Sequence, residues 1–178
     1  MPDVRTLSHG VQPVESHEVV EAAAALLRAA EPFARHIGAS EAARGRVRVH
    51  AHRLSLRDED GDEAEGAPLW ALVREMDTVG PRGRADRYAG DTPVRMQLQL
   101  SLDPDRIGAS DPDGLLGYGH VLAWQALEGQ RLDVADGSGR FASVDRIRRT
   151  DRPSPARLDP ASGRLYSSAY YRAWVRPL

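Results

Sequence analysis

A His-x-His pair, a run of acids and a run of arginines are the stretches of this sequence whose residue types could do chemistry. His50 and His52 would place both rings on one face of a strand. A zinc centre needs a third and usually a fourth ligand, held by a second shell of partners. His36 and His120 fall on other elements, and nothing in the spacing gathers them. Two surface histidines beside arginines are therefore expected, with no metal bound. Asp58, Glu59, Asp60, Asp62, Glu63 and Glu65 resemble a calcium loop in composition. They lack its glycine at the sixth position and its flanking helix pair, so a solvated acidic loop is expected.

Arg146, Arg148, Arg149 and Arg152 form a basic run that Asp145 and Asp151 dilute. Alternation puts Arg146 and Arg148 on one strand face. A solvated strand edge is the first reading, salt bridges between subunits the second and nucleic acid the third. Gly114-x-x-Gly117-x-Gly119 lies inside a helical pattern, so it lacks the strand-then-helix order of a dinucleotide fingerprint. Small residues there serve close helix packing. No Gly-x-Ser-x-Gly elbow occurs. The chain has no cysteine, and all 24 of its basic Lys+Arg residues are arginine. That excludes a nucleophilic cysteine, a Schiff-base lysine and a phosphate-loop lysine. No catalytic constellation and no cofactor are expected.

The elements that must position these residues are legible in part. Residues 1–14 carry two prolines and no periodicity, and read as an extended arm before a single domain over 15–178. From His17 to about Arg35, Val19, Ala22, Ala23, Leu26, Leu27 and Ala30 recur at threes and fours and predict a helix. Pro32 kinks or ends it, and Gly38 stops it. Arg46 to Leu56 predicts a strand with a bulge at His52-Arg53. Leu69 to Val73 fits a strand or a short helix. Polar loops are expected at 57–68 and 80–93.

Val94, Met96, Leu98, Leu100 and Leu102 alternate with Arg95, Gln97, Gln99 and Ser101, which predicts a half-buried strand. Its second face is polar but carries one charge, which suits water or a subunit better than a second core. Asp111-Pro112 opens a helix to about Gln130 whose buried stripe includes Leu115, Leu116, Leu122, Ala123, Ala126 and Leu127, with Tyr118 or Gly119. Strands follow at 132–135 and 141–149, an irregular proline-bearing stretch at 151–163, and an aromatic strand from Leu165 to Arg176. Helices and strands do not alternate regularly. The expected class is α+β, an antiparallel or mixed sheet with helices packed on one face.

Hydrophobic residues make up 41% and charged residues 28%, which fits a folded domain, and the formal charge of −2 gives no global grip on nucleic acid. The first residues do not read as a signal peptide, and the longest apolar run is far short of a bilayer span, so synthesis in the cytoplasm and no membrane are expected.

The order of these elements carries a resemblance. An N-terminal helix and the strand Val94 to Leu102 lead to the helix Leu-Leu-x-x-x-x-Val-Leu-x-x-x-x-Leu-x-Gly at Leu115 to Gly129. Then come Val144-Asp145-Arg146-Ile147-Arg148-Arg149, the segment Pro153 to Tyr166, and Ala169-Tyr170-Tyr171-Arg172-Ala173-Trp174-Val175. This resembles the tail-terminator or tail-completion proteins of long-tailed bacteriophages and related phage-tail-like particles, over most of the chain after residue 15. The long polar loops would be elaborations.

The resemblance implies a virion structural protein at the tail–neck junction, not an enzyme. It implies a homo-oligomeric ring, typically a hexamer, that caps the head-proximal end of the tail tube. The partners would be copies of the chain, the tail-tube protein and a neck or connector protein, with DNA present only in transit through the lumen. On that reading Arg95, Gln97, Gln99, Arg146, Arg148, Tyr171 and Trp174 are the candidate contacts with neighbours. A lumen that passes DNA should repel phosphate, which makes Asp58, Glu59, Asp60, Asp62, Glu63 and Glu65 the candidate channel-facing set. The alternatives are a head-closure or adaptor protein of the neck, and a small metal- or ligand-binding enzyme domain built on His50, His52 and nearby acids.

Overall fold

A computed structural model describes residues 16–38, 48–51, 67–76, 92–135 and 141–177. The expected arm at 1–14, most of the strand expected at 46–56, His52, the acidic run 58–65, the polar stretch 80–91 and the turn at 136–139 lie outside the described residues.

The N-terminal helical stretch is two helices, α1 (Ser16–Ala29) and α2 (Glu31–His36). Pro32 lies in the first turn of α2, where its missing N–H costs nothing. A helix continued through it would clash at the carbonyl four residues back. The chain therefore breaks at Ala30, whose backbone is extended. On α1 the fully buried residues are Val19, Val20, Ala23, Ala24 and Leu27. Their spacing makes one stripe, and the two alanines let the helix sit close to the sheet.

The strands are β1 (Val49–Ala51), β2 (Leu69–Glu75), β3 (Thr92–Leu102), β4 (Leu132–Ala135), β5 (Phe141–Arg149), β6 (Arg157–Leu158) and β7 (Leu165–Pro177). They form one mixed sheet in the order β1-β2-β3-β7-β5-β4, with β6 on β7. β1 runs parallel to β2, and every other pair is antiparallel. The window at 69–73 resolves as a strand because Leu69, Ala71 and Val73 stand opposite Leu102, Leu100 and Leu98 and share their buried side. Two further helices complete the order, α3 (Pro104–Ile107) and α4 (Pro112–Leu127). Asp103 and Asp111 cap them through bonds to backbone N–H groups. The sequence patterns did not predict α3.

α1, α2 and α4 cover one face of the sheet, as the α+β reading expected. Val94, Met96, Leu98, Leu100 and Leu102 join Ala169, Tyr171 and Ala173 of β7 in a continuous core with those helices. α4 comes in closest at Gly119. A Cβ there would lie 2.8 Å from Leu100 Cδ1 and 3.1 Å from His36 Nε2, so the close-packing role expected of the small residues holds at this position.

Two expectations need correction. Tyr171 is not on the surface: it is 2% exposed and stands opposite Met96 on the helix-covered side. Nor do Arg146 and Arg148 form a same-face pair. The register moves from Asp145↔Trp174 to Arg148↔Arg172, so Arg146 and Ile147 both stand opposite Ala173 in a bulge. Arg146 takes a left-handed backbone with φ 46. Ile147 is drawn into the core, bonded through its N–H to Gln130 O at 3.1 Å and through its carbonyl to Gly129 N at 2.9 Å.

Candidate interaction face

The histidines whose side chains are described, His36, His50 and His120, do not converge. His120 is fully buried on α4, with Nε2 3.1 Å from Ser167 Oγ. Ser167 donates its own hydroxyl proton to the Ser154 carbonyl at 2.6 Å, so the imidazole N–H must be the donor to Ser167. Nδ1 is then a buried acceptor with no partner. Burial, above all, pushes its pKa down to about 4, against the bond to Ser167 and with help from Arg149. This is no nucleophile–base pair, because the serine proton points away from the ring. His36 donates to the Leu115 carbonyl at 3.0 Å and meets Tyr118 edge-on. His50, expected on the surface, is instead buried on β1 at 3% exposure, and burial followed by the charge of Arg28 lowers its pKa. Among the described residues no three His, Asp or Glu side chains are placed to hold a metal ion.

The sheet face turned away from the helices gathers more. In antiparallel strands, residues directly opposite share a face. The register therefore puts Arg74, Arg95, Gln97, Gln99, Ser101, Tyr166, Ser168, Tyr170, Arg172 and Trp174 on this side. Among the described residues no helix covers it. Five of the seven expected contact residues lie here, four of them on β3 and β7: Arg95, Gln97, Gln99 and Trp174. Arg148 joins them opposite Arg172. Arg146 sits in the bulge, and Tyr171 sits in the core.

The middle of the face is tied together. Arg74 Nε donates to Gln97 Oε1 at 2.6 Å, and Gln97 Nε2 donates to Ser168 Oγ at 2.8 Å. Gln97 is accordingly 7% exposed. One side-chain chain thus crosses β2, β3 and β7.

The two ends differ. At one, Arg164 is 7% exposed and lies over the Trp70 ring at 5.6 Å. It donates to Ser101 Oγ at 2.9 Å and to the Ala67 carbonyl at 2.8 Å, with Asp103 at 3.8 Å. At the other, Arg95, Arg172 and Arg148 stand side by side on three adjacent strands. Arg95 and Arg148 are exposed, and Arg172 is half-buried, over the Trp174 ring at 5.7 Å. Among the described residues no carboxylate pairs with any of the three, and Arg172 Nε is buried with no acceptor. Sequence patterns missed Arg172 and Arg164, because their settings arise from register between strands far apart in the chain.

A second, different surface lies on the outside of the helix layer. Tyr118, Val121 and Trp124 of α4 are 56%, 42% and 39% exposed. Arg149 stacks over the Trp124 ring at 5.0 Å. Among the described residues no helix is long and apolar enough to cross a membrane.

No family model matches this chain, and no curated protein matches it. Five solved chains resemble it. One of them, whose name states no function, is 17% identical and is matched over 86% of this chain and 95% of its own, with a TM-score of 0.42. That likeness is too distant to say what this chain binds.

Proposed function

We propose that the chain is a ring-forming structural subunit, a tail terminator that caps the head-proximal end of a phage-type tail tube and joins it to the neck. The observation that carries this reading is the pair of unlike outer surfaces on a two-layer fold. One side offers a polar sheet face with arginines and aromatics, and the other offers the exposed apolar stripe of α4. A ring is built by a heterologous interface, in which one patch meets a different patch on the next copy. The order of helices and strands supports the same reading. His36, His120, Ser154, Ser167 and Ser168 make structural hydrogen bonds, which fits a protein that works by assembly. Its partners are copies of itself, the tail-tube protein and a neck protein, and DNA only passes through the lumen.

The test is assembly. Mass photometry and negative-stain images of the purified chain, alone and mixed with tubes of its particle's tail-tube protein, should show rings of sixfold symmetry or caps on tube ends. Rings of twelvefold symmetry would move the assignment to a neck adaptor. Monomers at every concentration, with bare tubes, would end the reading.

A further inference from the structure

The row Arg95–Arg172–Arg148 is costly in the isolated subunit. Like charges directly opposite on neighbouring strands destabilise a sheet, and here two such pairs share one central residue. A buried guanidinium nitrogen without an acceptor adds to that cost. An anionic partner would offset the like-charge repulsion through the exposed guanidinium groups of Arg95 and Arg148.

We infer that this row is the docking platform for an acidic helix of a partner protein, laid across the strands. The inference rests on the proposed reading in taking this face as an interface, and adds the chemistry of what it meets. Adjacent strands are about 4.8 Å apart, so the three guanidinium stems start from points at that pitch. Acidic residues four apart on a helix are separated by about 5–6 Å. A helix with carboxylates at i, i+4 and i+8 thus meets the row one acid per arginine. The flanking Trp174 and Tyr170 are half-buried on the same face and offer apolar surface beside the charges. At this end of the face Arg95 and Arg148 are exposed and no described helix covers them, which leaves room for a helix to pack. A polynucleotide fits less well, because the chain as a whole carries a charge of −2 and exerts no long-range pull on a polyanion.

The experiment uses the full chain and a labelled helical peptide carrying glutamates at i, i+4 and i+8. A second peptide carries glutamines at those positions, and a single-stranded oligodeoxythymidine is the third probe. Fluorescence anisotropy at about 50 mM salt reads weak electrostatic binding. The glutamate peptide should bind roughly tenfold tighter than the glutamine peptide. The double variant Arg95→Gln, Arg148→Gln, checked for folding by circular dichroism, should erase that difference. Equal binding of the two peptides to the unaltered chain would overturn the inference without needing any variant. So would an oligodeoxythymidine that binds tighter than the glutamate peptide and loses that binding in the double variant. Rings that form while the peptides bind equally would leave the proposed function standing and remove only the acidic helix. Peptide discrimination by a chain that never forms rings would do the reverse.

Discussion

Arg164 stands just before β7 and Arg172 lies within it, and each stacks on a tryptophan. They differ in everything else. Arg164 is buried among acceptors: a hydroxyl, backbone carbonyls and a nearby carboxylate. Arg172 has an arginine on either side and a buried nitrogen that bonds to nothing. Burial with partners marks a residue that holds the fold together. Crowding of like charge without partners marks a surface whose partners lie outside the subunit. One side-chain type thus does two jobs about one strand length apart, and its neighbours decide which.

The largest expected effect is at the satisfied end. Arg164→Ala removes a buried cation and strands Ser101, the Ala67 carbonyl and Asp103. Removing one member of such a buried set costs about 4 kcal/mol. In a domain of this size that lowers Tm by roughly 10 °C. A calorimetric Tm within a degree or two of the unaltered protein would break the comparison, because Arg164 would then be as dispensable as a surface residue.

Acid should weaken the same half of β7 while leaving the arginine row charged. His120 anchors Ser167, two residues into β7, and its pKa lies at about 4 against an ordinary 6.5. The unfolded chain takes up a proton near 6.5, and the folded chain resists until about 4. Stability is therefore full above pH 6.5, declines as pH falls towards 4 and levels off below that. At about 1.4 kcal/mol per pH unit the loss is about 3 kcal/mol. His36 and His50 are shifted in the same direction by burial and add to it. Urea titrations across that range should show the decline. His120→Gln, which keeps a donor for Ser167, should flatten it, and an unchanged slope in that variant would place the acid sensitivity elsewhere.

How far the sequence could be read follows from the same strand. β3 was legible residue by residue, because its core side is all large and apolar and its other side all polar. β7 was not. Its core side reads Leu165, Ser167, Ala169, Tyr171 and Ala173, and its open side reads Tyr166, Ser168, Tyr170, Arg172 and Trp174. By size and hydrophobicity the open side looks more like a core than the buried one. α4 lies over the core side, where its buried His120 meets Ser167. Tyr171 was thus read outward. The arginine row was invisible for a different reason. Arg95 and Arg172 are ordinary polar positions in their own strands, and only the pairing register makes them neighbours. The bulge hid Arg148 in the same way, since plain alternation paired it with Arg146. Likewise the four residues of α3 are too few to show a helical period.

The smallest expected effect has the most unusual sign. Arg95→Gln and Arg148→Gln each remove one like-charge pair from the row and leave Arg172 stacked on Trp174. Cross-strand pairs of this kind are worth about 0.2–1 kcal/mol. Both sites are exposed, so little packing is lost. Each variant should therefore gain a few tenths of a kcal/mol, and the double variant should raise Tm by roughly 1–3 °C. Most substitutions cost stability, typically about 1 kcal/mol, so a rise at two sites is not the default outcome. The gain should shrink at high salt, because the repulsion it relieves is between exposed charges. A fall in Tm for both variants at low salt would mean that the guanidinium stems hold this end together as Arg164 holds the other. The two ends would then be alike, and the arginine row would lose its claim to be a surface kept for a partner.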